Sequence, residues 1–134
     1  MNKILLDTNA YSNFLKGTDS VLKALDQGKV VYMSVFVIAE LYYGFKGGRK
    51  EIWNKELLNN FLKKIPVQII NATSETSEIF ADIKYKLKKT GKPIPINDVW
   101  IASHVIETGS VLITFDEHFQ NIPGLRIWDY INFS

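Results

Sequence analysis

The chain has no cysteine in its 134 residues. Disulfide frameworks, thiolate metal sites and cysteine nucleophiles are therefore excluded. It has only two histidines, His104 and His118, with no ligand spacing between them, which argues against a zinc hydrolase. No apolar run approaches the length of a membrane span. The N-terminus offers one lysine and then only Ile4, Leu5 and Leu6, too few for a signal peptide, so a cytoplasmic location is expected. In that compartment the triplets Asn71-Ala72-Thr73 and Asn132-Phe133-Ser134 carry no glycosylation meaning. Phosphate-binding-loop and dinucleotide fingerprints are missing, and no serine sits in a triad context.

What remains is an ordinary globular composition, 46% hydrophobic and 22% charged, with the length of one domain spanning 1–134. Net charge is +2, from 16 basic and 14 acidic residues. If four acids share one site, the rest of the surface is clearly basic, an arrangement suited to a polyanion.

The organising stretch is Lys3-Ile4-Leu5-Leu6-Asp7-Thr8-Asn9. Its short apolar run reads as a strand buried on both faces, with Asp7 at the carboxyl end, where open α/β sheets build their sites. Asp7 is also a good N-cap, and alone the stretch favours that simpler reading. A short helix over Ala10 to Lys16 and a second from Thr18 or Asp19 to Gly28 follow. Val30 to Met33 is a second buried strand, with Ser34 placed to cap the next helix.

From Val35 to Phe45 every residue except Glu40 is apolar, aromatic or glycine. A helix apolar all round is expected to be buried. Within it Glu40 must pair with a lysine, lie at an exposed edge, or serve as a functional carboxylate. A basic loop, Lys46 to Lys50, leads to a helix over Glu51 to Lys64 and a third strand, Val67 to Ile70. A long helix then runs from about Ser77 to Gly91. Its Lys84, Lys86, Lys88 and Lys89, with Lys92, read equally as a solvated face or as phosphate contacts.

Prolines 93 and 95 enforce an extended connector over Lys92 to Ile96. Asn97 is then expected to cap a helix from Asp98 to about Thr108, with Asp98 in its first turn. Val111 to Thr114 is the fourth strand, with Asp116 just past its end and Glu117 facing solvent. His118 is expected to pack or hydrogen-bond beside Asp116. Leu125 to Ile127 reads as a short edge strand and Asp129 to Ser134 as a tail.

Asp7, Glu40, Asp98 and Asp116 could thus converge at one end of a parallel sheet. Four carboxylates together need a cation or a proton. All-oxygen ligation selects Mg²⁺ or Mn²⁺, and such an ion fits phosphodiester hydrolysis.

Leu6 to Asn9, Ser34 to Gly44, Ile96 to Ala102 and Thr114 to Phe119, in this order, resemble the PIN-domain family, and within it the VapC toxins of toxin–antitoxin pairs. The resemblance implies a three-layer α/β/α sandwich with a mostly parallel sheet of four to five strands. It implies an endoribonuclease in which a Mg²⁺-activated water attacks RNA, with tRNA, rRNA and mRNA all compatible. Asp7, Glu40, Asp98 and Asp116 match the family's acidic set. Asp7 and Asp98 would be the most direct ligands, Glu40 would bind directly or through water, and Asp116 would act through water or a second metal. Asn9 and Thr114 match small polar positions lining such sites. A VapB-type antitoxin and a homodimer are also implied. Two other readings stand beside this one: a PIN-like RNA-binding module with little catalysis, and a metal-dependent phosphatase or phosphoacceptor using Asp7.

Overall fold

Ile4, Leu5 and Leu6 have no solvent exposure at all, because the strand they form lies inside the sheet and is covered on both faces. A computed structural model describes residues 2–129, and the last residues of the expected tail, 130–134, lie outside that range. Among the described residues the strands are β1 (Lys3–Leu6), β2 (Val30–Ser34), β3 (Val67–Ile70) and β4 (Val111–Ile113). They form one sheet in the order β3-β2-β1-β4, with every neighbouring pair parallel. Ile4 pairs with Val31 on one side and Val111 on the other, which fixes the register at the centre.

Six helices connect the strands: α1 (Thr8–Leu15), α2 (Asp19–Gln27), α3 (Val35–Phe45), α4 (Glu51–Leu62), α5 (Ser74–Thr90) and α6 (Ile96–Thr108). The chain steps outward from β1 to β3, then returns across β1 to β4. With right-handed crossovers, α1 to α4 cover one face and α5 and α6 the other, giving three layers. The order reverses beside β1, and the crevice outside the carboxyl ends of β1 and β4 is where such sheets bind ligands.

Several boundaries differ from expectation. Helix α1 begins at Thr8 rather than Ala10, because Asp7 is extended and caps it. Helix α6 begins at Ile96, and its cap residue is Pro95, not Asn97. The Pro95 carbonyl accepts from the Asp98 and Val99 amides at 3.0 and 3.3 Å. Proline's fixed φ and missing N–H cost nothing at such a position. Gly91 and Gly109 close α5 and α6 in the left-handed conformation, which glycine adopts without strain. The expected edge strand is a single bridge, Leu112 with Ile127.

Helix α3 is not buried all round. Val37, Ile38 and Leu41 form one buried stripe, while Tyr43 is 83% exposed. The stripe satisfies the core, and the apolar outer face stays bare in the single chain.

Candidate active site

Asp7 caps α1 with one oxygen and is tied to the end of β4 by the other. Its Oδ1 accepts from the Ala10 amide at 2.8 Å, which caps α1. Its Oδ2 accepts a short hydrogen bond from the Thr114 hydroxyl. Thr114 follows β4, and its Oγ1 also accepts from the Asp116 amide at 2.9 Å. One hydroxyl thus ties together the acids that follow β1 and β4. The Trp128 indole donates to the Thr114 carbonyl at 2.6 Å and braces the same corner.

Glu40 is half-buried on α3 and is neither paired with a lysine nor left at an open edge. It accepts from the Thr8 hydroxyl at 2.9 Å, so the residue after Asp7 orients the next acid. Asp98 stands in the first turn of α6. Trp100, two residues on, stacks between Phe80 of α5 and Phe36 of α3, with ring centroids 3.9 and 5.0 Å away. Further along α6, buried His104 has Nδ1 2.8 Å from the Ser34 hydroxyl and Nε2 3.2 Å from the Asn71 carbonyl. These contacts pin α6 to the carboxyl ends of β2 and β3. Burial holds the His104 imidazole below its ordinary pKa, which favours its neutral form.

Asp7, Glu40, Asp98 and Asp116 all line one cavity of about 290 Å³, together with Thr8, Asn9, Asn97 and Phe119. Among the described residues no lysine or arginine pairs with Asp7, Glu40 or Asp98. Asp7 is only 5% exposed. Burial raises its carboxyl to about 6. The Thr114 and Ala10 hydrogen bonds oppose the rise, and Asp116 and Glu40 add to it. Asp98 is also raised to about 6, by burial first and then by Asp116, Glu40 and Asp7, with His118 opposing. Carboxyls raised by burial and then by one another's charge, with no lysine or arginine beside them, are what a bound cation would relieve. The donor set, all oxygen among the four acids, suits a hard divalent ion.

His118 was expected to pack or hydrogen-bond beside Asp116. It does sit beside Asp116, with Nδ1 3.2 Å from Oδ1. Beyond that, the ligand atoms of Asp98, Asp116 and His118 all lie within 4.8 Å of one another. The available signal was the Asp-x-His spacing at 116 and 118. Its partner Asp98 is joined to it only by folding. Glu117 is exposed, as expected. Lys84, Lys86, Lys88, Lys89 and Lys92 are exposed too, with Lys86 paired to Asp82 at 2.9 Å and Lys84 over the Phe80 ring. A larger cavity, about 610 Å³ and mostly apolar, lies between α5 and the connector and contains no carboxylate.

Residues 4–125 match the PIN domain family. The chain is 31% identical over 132 residues to Ribonuclease VapC2 of Rickettsia felis, covering 93% of this chain and 97% of that protein. It is 28% identical over 134 residues to the tRNA(fMet)-specific endonuclease VapC of Shigella flexneri, covering 97% and 99%. In the crystal structure of VapBC2 from Rickettsia felis bound to a promoter DNA fragment, one chain matches with a TM-score of 0.83 at 29% identity, over 95% of this chain and 99% of that one. The chain belongs to the PIN-domain family, in its VapC-type branch.

Proposed function

We propose that this chain is a Mg²⁺-dependent endoribonuclease and the toxin of a VapBC-type pair. The observation that carries the reading is one cavity lined by four carboxylates, none of them paired with a lysine or arginine among the described residues. Asp7, Glu40, Asp98 and Asp116 would hold the ion, with Mn²⁺ a chemically similar substitute. When bound, the cation supplies charge stabilisation at the phosphoryl group and lowers the pKa of an attacking water. The chain's own residues supply the order. Thr114 and the Ala10 amide orient Asp7, and Thr8 orients Glu40, so both carboxylates are positioned before substrate arrives. Asn9 and Asn97 line the same cavity and offer amide contacts to the RNA backbone.

The substrate named for the Shigella flexneri relative makes transfer RNA the first class to test, ahead of ribosomal and messenger RNA. A VapB-type antitoxin is the proposed protein partner. A second copy of the chain is the proposed cover for the bare outer face of α3 around Tyr43. The complete acidic set counts against a purely RNA-binding module. Asn9, standing where a phosphoacceptor phosphatase would carry a second aspartate, counts against Asp7 as a covalent site.

Induced expression in a bacterial host tests the toxin reading. Growth arrest accompanied by cut RNA is expected, with growth restored when a cognate VapB-type antitoxin is co-expressed. Normal growth and intact RNA at high toxin levels would overturn it.

A further inference from the structure

We infer that His118 is a nitrogen ligand of the acidic site and that, with Asp98 and Asp116, it tilts the site's preference from Mg²⁺ toward Mn²⁺. The inference rests on the metal-dependent reading above and names a donor outside the four acids. Donors about 2.1 Å from one ion stand roughly 3 to 4 Å apart. The ligand atoms of the three side chains, all within 4.8 Å of one another, therefore fit around a single cation after small rotations.

The local fold keeps the imidazole there. Asp116 caps the 3-10 turn Glu117–Asn121, its Oδ1 accepting from the His118 amide at 2.9 Å. Phe119, 1% exposed, anchors the turn and lines the acidic cavity. The His118 side chain is 62% exposed and already stands 3.2 Å from Asp116 Oδ1, so a small rotation turns it toward an ion shared with that carboxylate. Asp7 lies in the same cavity, and each of its oxygens accepts one hydrogen bond and keeps a lone pair for the ion. His104, the other histidine, is buried with both ring nitrogens engaged, so it cannot serve. Mg²⁺ is bound through oxygen and water, whereas Mn²⁺, though the weakest nitrogen binder of the first-row divalent series, accepts an imidazole more readily than Mg²⁺ does. One nitrogen donor among carboxylates therefore favours Mn²⁺.

The test is pulsed electron paramagnetic resonance of Mn²⁺ bound to the full chain, purified without a histidine tag, alongside Mn²⁺ and Mg²⁺ affinities by calorimetry. Wild-type protein should show imidazole nitrogen coupling to Mn²⁺. His118→Gln should lose it, with Mn²⁺ affinity falling about tenfold or more and Mg²⁺ affinity changing by less than about threefold. Asp98→Asn should weaken both ions. Absent nitrogen coupling in the wild type, or equal Mn²⁺ affinity in His118→Gln, overturns the inference and leaves His118 as a simple partner of Asp116. If neither ion binds the wild type, the metal-dependent reading falls as well, a result separable from the first.

Discussion

Asp98→Asn is expected to reduce RNA cleavage by about a thousandfold or more at saturating Mg²⁺, since removing one ligand from a catalytic metal site forfeits several kcal/mol of transition-state stabilisation. The substitution keeps the shape of the side chain and removes its charge. Among the described residues the Asp98 side chain makes no hydrogen bond and pairs with no lysine or arginine, and the amide bond to Pro95 that starts α6 is kept in the variant. Its environment consists of Asp116, Glu40 and Asp7, which disfavour its charge, and His118, which favours it. The fold should therefore survive, with an unchanged far-ultraviolet dichroism spectrum and a melting temperature in chelator no lower than wild type. Initial rates on a defined RNA decide the matter, and activity within tenfold of wild type would remove Asp98 from the site.

The second large effect is a pH-dependent instability of the metal-free protein, centred on Asp7. Its carboxyl has a pKa of about 6 when folded, against 3.8 ordinarily. Between those values the folded protein keeps a proton that the unfolded chain has released. Stability conferred by that proton is present at the acid end of the window and is lost as pH rises through about 6. A shift of this size corresponds to about 3 kcal/mol at neutral pH, and Asp98 acts in the same direction. In chelator, wild-type protein should therefore unfold more readily at pH 7.5 than at pH 5. Asp7→Asn, which cannot ionise, should be the more stable protein at pH 7.5 and show a flatter profile. Saturating Mg²⁺ should stabilise the wild type most where the carboxylates are ionised, and the variant little. Parallel pH profiles for the two proteins in thermal melts would contradict this.

Much of this was legible in the chain itself, for physical reasons that differ by element. The strands were readable because Ile4 to Leu6 and Val111 to Ile113 are short apolar runs ending in polar residues, which strands buried on both faces require. Helix α5 was readable because acids precede lysines along it and Gly91 follows. The start of α6 was not, because Pro95 caps with its carbonyl and displaces the expected Asn97. The outer face of α3 was hidden as well. Apolar residues in every direction say that a helix avoids water, but not whether its own chain supplies the cover. For the site, the four acids could be nominated individually by strand end, helix start or isolation in an apolar helix. Their joining hydroxyls, Thr8 and Thr114, and the approach of His118 to Asp98 depend on tertiary contacts across the sheet's carboxyl edge, which no local spacing encodes.

The most direct test of the central claim is cleavage of a mixed small-RNA pool by purified, antitoxin-free protein in Mg²⁺, in Mn²⁺ and in chelator, with Asp7→Asn run in parallel. The account expects discrete fragments with either ion, none in chelator and none from the variant. Cleavage that persists in chelator, or in Asp7→Asn free of contaminating nuclease, would contradict it.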